Sequence, residues 1–353
     1  MCPICYGNFK FFLYTITNSM INNRHKYTLY VLYLLFATFS VATEYKVNPK
    51  TCNVLALSGG GAYVSVEAGM LYTLNSNTNT ITANFPYKLP SHFDVISGIS
   101  AGGLAVGFLE QHKHEPFQTQ IDSLITILNQ IKFNDVYKFH IDTLFDKWGL
   151  LDTSPLRETI EKHMLTTFVT SESSTTYLIG TTNLQRQAID VFNMNNYDIN
   201  DKIDIMMATC AIPFLFPPHV INGTYYLDGG VIDNELIIQS LERLKCDKYN
   251  VYFLNSYNKR DSIATPRNIL EYSIDIAETL IDTFNYQMAM FKDLSCDATN
   301  VTKNMSNVKG KLIFCEPSVG SMNGYNLLDF DKSSELVEIG KKYIQCNESL
   351  LCF

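Results

Sequence analysis

The chain has 353 residues, 46% hydrophobic and only 18% charged, which supplies apolar material for a large core and too little charge for a disordered chain. A formal charge of −8 excludes the basic footprint of a nucleic-acid binder and argues against simple electrostatic docking on anionic membranes. The length suggests up to two domains, although α/β folds often use it as one.

Residues 1–42 contain no Asp or Glu. Arg24 and Lys26 precede an apolar run over 27–42, and Ser40 and Ala42 form a small-x-small exit. The run has 16 residues, short of the ~20 that span a membrane. These are the parts of a secretory signal peptide, with an uncleaved anchor as the alternative and Met20 as a more ordinary start. The expected location is therefore the secretory pathway, secreted or lumenal. Past the leader remain Cys52, Cys210, Cys246, Cys296, Cys315, Cys346 and Cys352, an odd set that leaves at least one thiol unpaired or intermolecular. Cys346 and Cys352 are placed to staple the tail, but connectivity is not readable from spacing. Asn-x-Ser/Thr sequons at Asn222, Asn300, Asn304 and Asn347 fit a secreted glycoprotein.

Residues 53–58 read as a buried strand, broken by Gly59-Gly60-Gly61, and 63–74 as a helix. A polar loop over 75–90 leads to a short strand at 93–96. Gly98-Ile99-Ser100-Ala101-Gly102 follows, opening an apolar helix to about 110. Residues 117–132 and 155–165 read as amphipathic helices, 177–180 and 188–192 as strands, and 203–210 as a helix ended by Pro213. Strands at 225–227 and 251–254 flank a helix near 235–244. A long helical pattern covers 267–290, and 312–315 is a late strand. This alternation predicts an α/β fold with a mainly parallel central sheet sandwiched between helices. The expected organisation is a leader over 1–42, one domain over 43–330 and a helical tail over 331–353.

Three constellations carry chemistry. Gly98-x-Ser100-x-Gly102 between strand and helix permits a sharp turn that lifts a serine hydroxyl to a helix N-terminus. Ser58-Gly59-Gly60-Gly61 lets successive N–H groups converge as an anion nest. It lacks the Gly-Lys-Ser/Thr of a P-loop, and Val64 breaks a dinucleotide fingerprint. Asp228-Gly229-Gly230, after a short strand, delivers a carboxylate to a glycine loop, where it can accept the serine proton. Each motif alone is also an ordinary turn. No histidine follows Asp228, so a Ser–acid–His order needs an earlier acid such as Asp152 before His219. A Ser–Asp dyad needs no histidine.

Together these segments, over about residues 53–257, resemble the patatin-like phospholipases. Gly59-Gly60-Gly61-Ala62 through Gly69-Met70-Leu71 resembles their oxyanion loop and first helix, and Gly98-Ile99-Ser100-Ala101-Gly102 their nucleophile elbow. Ala211-Ile212-Pro213, Phe216-Pro217-Pro218 and Tyr226-Leu227-Asp228-Gly229-Gly230-Val231 resemble the catalytic-aspartate segment. The resemblance implies Ser100 as nucleophile and Asp228 as base. Gly59, Gly60 and Gly61 would form the oxyanion hole, with Gly98, Gly102, Gly229 and Gly230 supporting the turns. It implies a lipid or membrane-surface substrate, and no metal or organic cofactor. Tyr63 and Val64 depart from the family's usual cation and glycine, and Asn234-Glu235-Leu236 from its Asn-x-Pro. The expected activity is hydrolysis of lipid carboxylic esters. The alternatives are a lipid-binding member without activity and a triad esterase using His219. The apolar stretch 213–218 reads as core or acyl channel, and Trp148 as a loop residue, buried or at a membrane interface.

Overall fold

In a computed structural model, which describes residues 49–76, 87–139, 148–164, 173–257, 268–286 and 308–352, alternation along β1 (Thr51–Leu57) sets the layers. Leu55 and Leu57 face one apolar cluster, while Cys52, Val54 and Ala56 face another on the opposite side of the sheet. Both faces are buried, as parallel strands require.

The other strands are β2 (Val95–Ile99), β3 (Lys138–Phe139), β4 (Leu151–Asp152), β5 (Thr176–Asn183), β6 (Ala188–Asn193), β7 (His219–Ile221), β8 (Thr224–Asp228), β9 (Lys248–Leu254), β10 (Val308–Pro317) and β11 (Ile344–Cys352). Nine of them form one sheet in the order β11-β10-β9-β1-β2-β5-β8-β7, with β6 also on β5. The run β10-β9-β1-β2-β5 is parallel, and antiparallel pairings close both ends. β3 and β4 form a separate ribbon.

The helices are α1 (Val64–Asn75), α2 (Ser100–Gln111), α3 (Phe117–Gln130), α4 (Ser154–Met164), α5 (Ile199–Thr209), α6 (Ile237–Leu241), α7 (Ile269–Tyr286) and α8 (Ser333–Lys342). The architecture matches the predicted sandwich. β2 runs through Gly98 and Ile99, past the strand end expected at 96. Pairing with β1 and β5 on both sides supplies the ladder bonds that hold glycine extended.

The expected helical tail is only half helix. After α8 the chain turns into β11, antiparallel to β10, and it belongs to the same compact unit that begins at Lys50. The staple also differs from the expected one. Cys346 bonds Cys315, its cross-strand partner in the β10–β11 register, rather than Cys352. Cys52 bonds Cys246, Cys352 is disulfide-bonded as well, and Cys210 is a free, buried thiol. The leader, the sequons at Asn300 and Asn304, and Cys296 lie outside the described residues.

Candidate active site

Two strands approach one point along the same edge of β5. β2 runs parallel to β5 and ends with Ile99 opposite Gly180. β8 runs antiparallel from the other direction and ends with Asp228 opposite Thr181. Ser100 begins α2 immediately after Ile99, so Ser100 and Asp228 are brought together although 128 positions separate them.

Ser100 takes a left-handed φ of 53°. For a non-glycine residue this is uncommon, and here the close packing around it imposes the turn. A Cβ on Gly98 would come 2.4 Å from the Gly102 carbonyl oxygen, so both ends of the turn need the missing side chains. The Ser100 N–H donates to Thr209 Oγ1 at 2.9 Å, and Thr209 Oγ1 donates to the Gly180 carbonyl at 2.6 Å. Thr209, fully buried at the end of α5, thus pins the turn to β5.

Asp228 is 5% exposed. Its Oδ1 accepts the Gly230 N–H at 2.8 Å, while Oδ2 has no hydrogen-bond partner. Burial pushes the carboxyl pKa up to about 7, against the Ser100 hydroxyl and the Gly230 N–H, which pull it down. The Ser100 hydroxyl thus favours the carboxylate form of Asp228.

Of the three glycine donors expected in the oxyanion hole, the Gly59 N–H is already engaged, donating to Asn234 Oδ1 at 2.9 Å. The Ser58 N–H is taken by Leu254 O and Glu67 Oε1, the Ala62 N–H by Leu327 O and the Tyr63 N–H by Gly60 O. The donors left on this loop are those of Gly60 and Gly61. Gly61 has a φ of 56°, and a Cβ there would meet Leu327 O at 2.2 Å. Beneath the loop, Glu67 Oε1 accepts from Ser58, whose hydroxyl also meets that of Ser256. Burial raises the Glu67 pKa well above normal, against the two hydrogen bonds from Ser58 that pull it down.

Tyr63 is buried, with its hydroxyl 3.3 Å from Glu278 Oε1 and 3.1 Å from the Tyr325 carbonyl, and its ring stacked on Tyr257. The position where a cation was expected therefore supports the loop from below. Val64 lines an apolar pocket that also reaches Ser100 and Gly61. Its walls include Phe108, Leu124, Ile212 and Phe216. The stretch 213–218 is thus divided: Phe216 lines the pocket, Leu215 is core, and Phe214 is exposed. His219 Nε2 lies 3.1 Å from Asp204 Oδ1, and Asp152 accepts from Ser154. The histidine and the acid of the triad reading are thus engaged elsewhere.

Thr209 carries no motif that marks it; its only sequence signal is a polar residue beside an apolar run, which is too common to single out. Asn234 stands in the segment that varies the family's Asn-x-Pro, but nothing in that spacing points to the Gly59 N–H.

The sequence profile described as patatin-like phospholipase matches residues 55–239. An uncharacterized protein of Acanthamoeba polyphaga mimivirus is 27% identical over 200 residues, covering 54% of this chain and 61% of its own. The cGAMP-activated phospholipase of Vibrio cholerae is 26% identical over 204 residues, covering 54% and 57%. Patatin group M-2 of Solanum tuberosum is 26% identical over 224 residues, covering 58% and 55%. The match thus spans little more than half the length of these relatives. Since the matched residues hold the glycine loop, the serine turn and the Asp-Gly-Gly segment, the chain belongs to the patatin-like phospholipase family.

Proposed function

We propose that this chain is a lipid acyl hydrolase that cleaves carboxylic esters through a Ser100–Asp228 dyad. Family membership supports hydrolysis of lipid esters. The observation that carries the finer reading is the meeting of β2 and β8 on one edge of β5, at the end of an apolar pocket. The almost wholly apolar lining suits an acyl chain, with its carbonyl at Ser100.

In the proposed sequence, the Asp228 carboxylate accepts the Ser100 hydroxyl proton as Oγ attacks the ester carbonyl. The Gly60 and Gly61 N–H groups hold the oxyanion. Collapse breaks the ester bond, and the leaving alcohol takes the proton from Asp228. Water then attacks the acyl-enzyme, giving its proton to Asp228, and the fatty acid departs as Ser100 recovers a proton. No step uses a histidine. A carboxyl at about 7 suits a base near neutral pH. The disulfides at Cys52–Cys246 and Cys315–Cys346 support an oxidising, secretory location.

The test is fatty-acid release from phospholipid and simple acyl esters by wild type and Ser100→Ala, alongside fluorophosphonate labelling. Loss of release by about 10⁴-fold or more, with loss of labelling, is expected. Equal release by both proteins would overturn the mechanism.

A further inference from the structure

Outside the pocket, bulky apolar side chains gather on one exposed region. Trp148 is 66% exposed and Phe214 63% exposed. Both hold left-handed backbone, with φ of 60° and 68°. That conformation is costly for aromatic residues, yet two of them adopt it on adjoining segments and leave their rings in solvent. The segments are bonded directly: the Leu150 N–H donates to the Phe214 carbonyl at 3.0 Å, and the Leu151 N–H to the Leu215 carbonyl at 2.9 Å. The Trp148 ring stacks on exposed Tyr225, with centroids 6.1 Å apart. Val220, also exposed, is the register partner of Tyr225 on β7, so the two share a face of the hairpin. Exposed Leu184 bonds the Tyr225 carbonyl through its N–H.

We propose that this surface, made by Trp148, Leu184, Phe214, Val220 and Tyr225, docks on a neutral or zwitterionic lipid bilayer and passes acyl chains to the pocket. The proposal rests on the lipid acyl hydrolase reading and adds where the enzyme meets its substrate. Continuity selects the occupant. Phe214 lies between Ile212 and Phe216, and both of these line the pocket that ends at Ser100. An apolar surface two residues along the chain from two walls of an apolar pocket matches a substrate whose neighbours are other lipids. Tryptophan and tyrosine suit the headgroup boundary, where an apolar ring and a polar tip are both accommodated. The five residues carry no charge and the chain as a whole is −8, so the complement is a zwitterionic surface rather than an anionic one.

Trp148 is the only tryptophan of the chain, so its emission reports this surface directly. The experiment adds phosphatidylcholine vesicles to full-length Ser100→Ala protein, with acyl chains brominated at shallow or deep positions. A blue shift, with stronger quenching by the shallow bromines, is expected. The second variant is Phe214→Gly, which removes a ring while supplying the residue that favours this φ, so folding is not penalised. In the otherwise wild-type chain it should weaken vesicle binding by about fivefold to tenfold. Turnover of a short, water-soluble ester should stay unchanged. Soluble-ester turnover without any Trp148 quenching overturns the docking surface and leaves the hydrolase reading standing. Unchanged vesicle binding by Phe214→Gly also overturns it. Quenching in a protein that turns over no ester keeps the surface and removes the hydrolase reading.

Discussion

Asp228 has to be charged to accept a proton, and its burial opposes that charge. The group is placed at about 7, where ionisation and basicity are both available near neutrality. Below that value the carboxyl is protonated, so kcat/KM is expected to fall about tenfold per pH unit, and above it to level off. A pH–rate profile of kcat/KM on a soluble ester checks this; a flat profile between pH 5 and 8 would remove Asp228 as the base. The same shift has a cost for folding. The folded-state pKa is raised above the unfolded value, so the native state binds the proton more tightly. Stability is therefore full below the normal carboxyl range and is lost as pH rises toward 7. Asp228→Asn keeps the acceptor for the Gly230 N–H and removes the buried charge. It should abolish turnover yet raise the melting temperature at pH 8, as scanning calorimetry would show.

At the scale of elements, the site is three element ends held at two adjacent positions of β5, Gly180 and Thr181. Ser100 follows β2, Asp228 ends β8, and Thr209 ends α5 against both Ser100 N and Gly180 O. Thr209→Val conserves shape but leaves the buried Ser100 N–H and Gly180 carbonyl unpaired, at about 1–3 kcal/mol for a buried polar group. If Thr209 positions the turn, kcat should fall about 10- to 100-fold with KM little changed. Thr209→Ser should restore most of the rate. A rise in KM alone would contradict this role. The glycine turns around Ser100 and Asp228 were legible in the sequence because their backbone excludes side chains, and the excluded side chains are visible as glycines. The head-on meeting of β2 and β8 was not legible, since antiparallel pairing of Asp228 with Thr181 leaves no local period. For the same reason the Gly59 N–H looked free: its acceptor, Asn234, lies 175 positions away.

At the scale of the molecule, the two described disulfides close very different loops. Cys52–Cys246 ties the start of β1 to the approach to β9 and encloses both Ser100 and Asp228, with 194 residues of separation. Cys315–Cys346 spans 31 residues and joins strands that already share a ladder. A helical tail accounts for α8 but not for β11, which is defined by its partner β10 rather than by its own composition. Cross-linking stabilises chiefly by restricting the unfolded chain, and the restriction grows with loop length. The longer loop should therefore stabilise more, by about 1.5 kcal/mol in the loop-entropy treatment. Replacing both cysteines with serine in each pair separately tests this by thermal unfolding without reductant. The Cys52→Ser/Cys246→Ser protein should melt a few degrees below the Cys315→Ser/Cys346→Ser protein. The reverse order would mean that the edge strand β11, rather than the span around the catalytic strands, is where the fold gives way first.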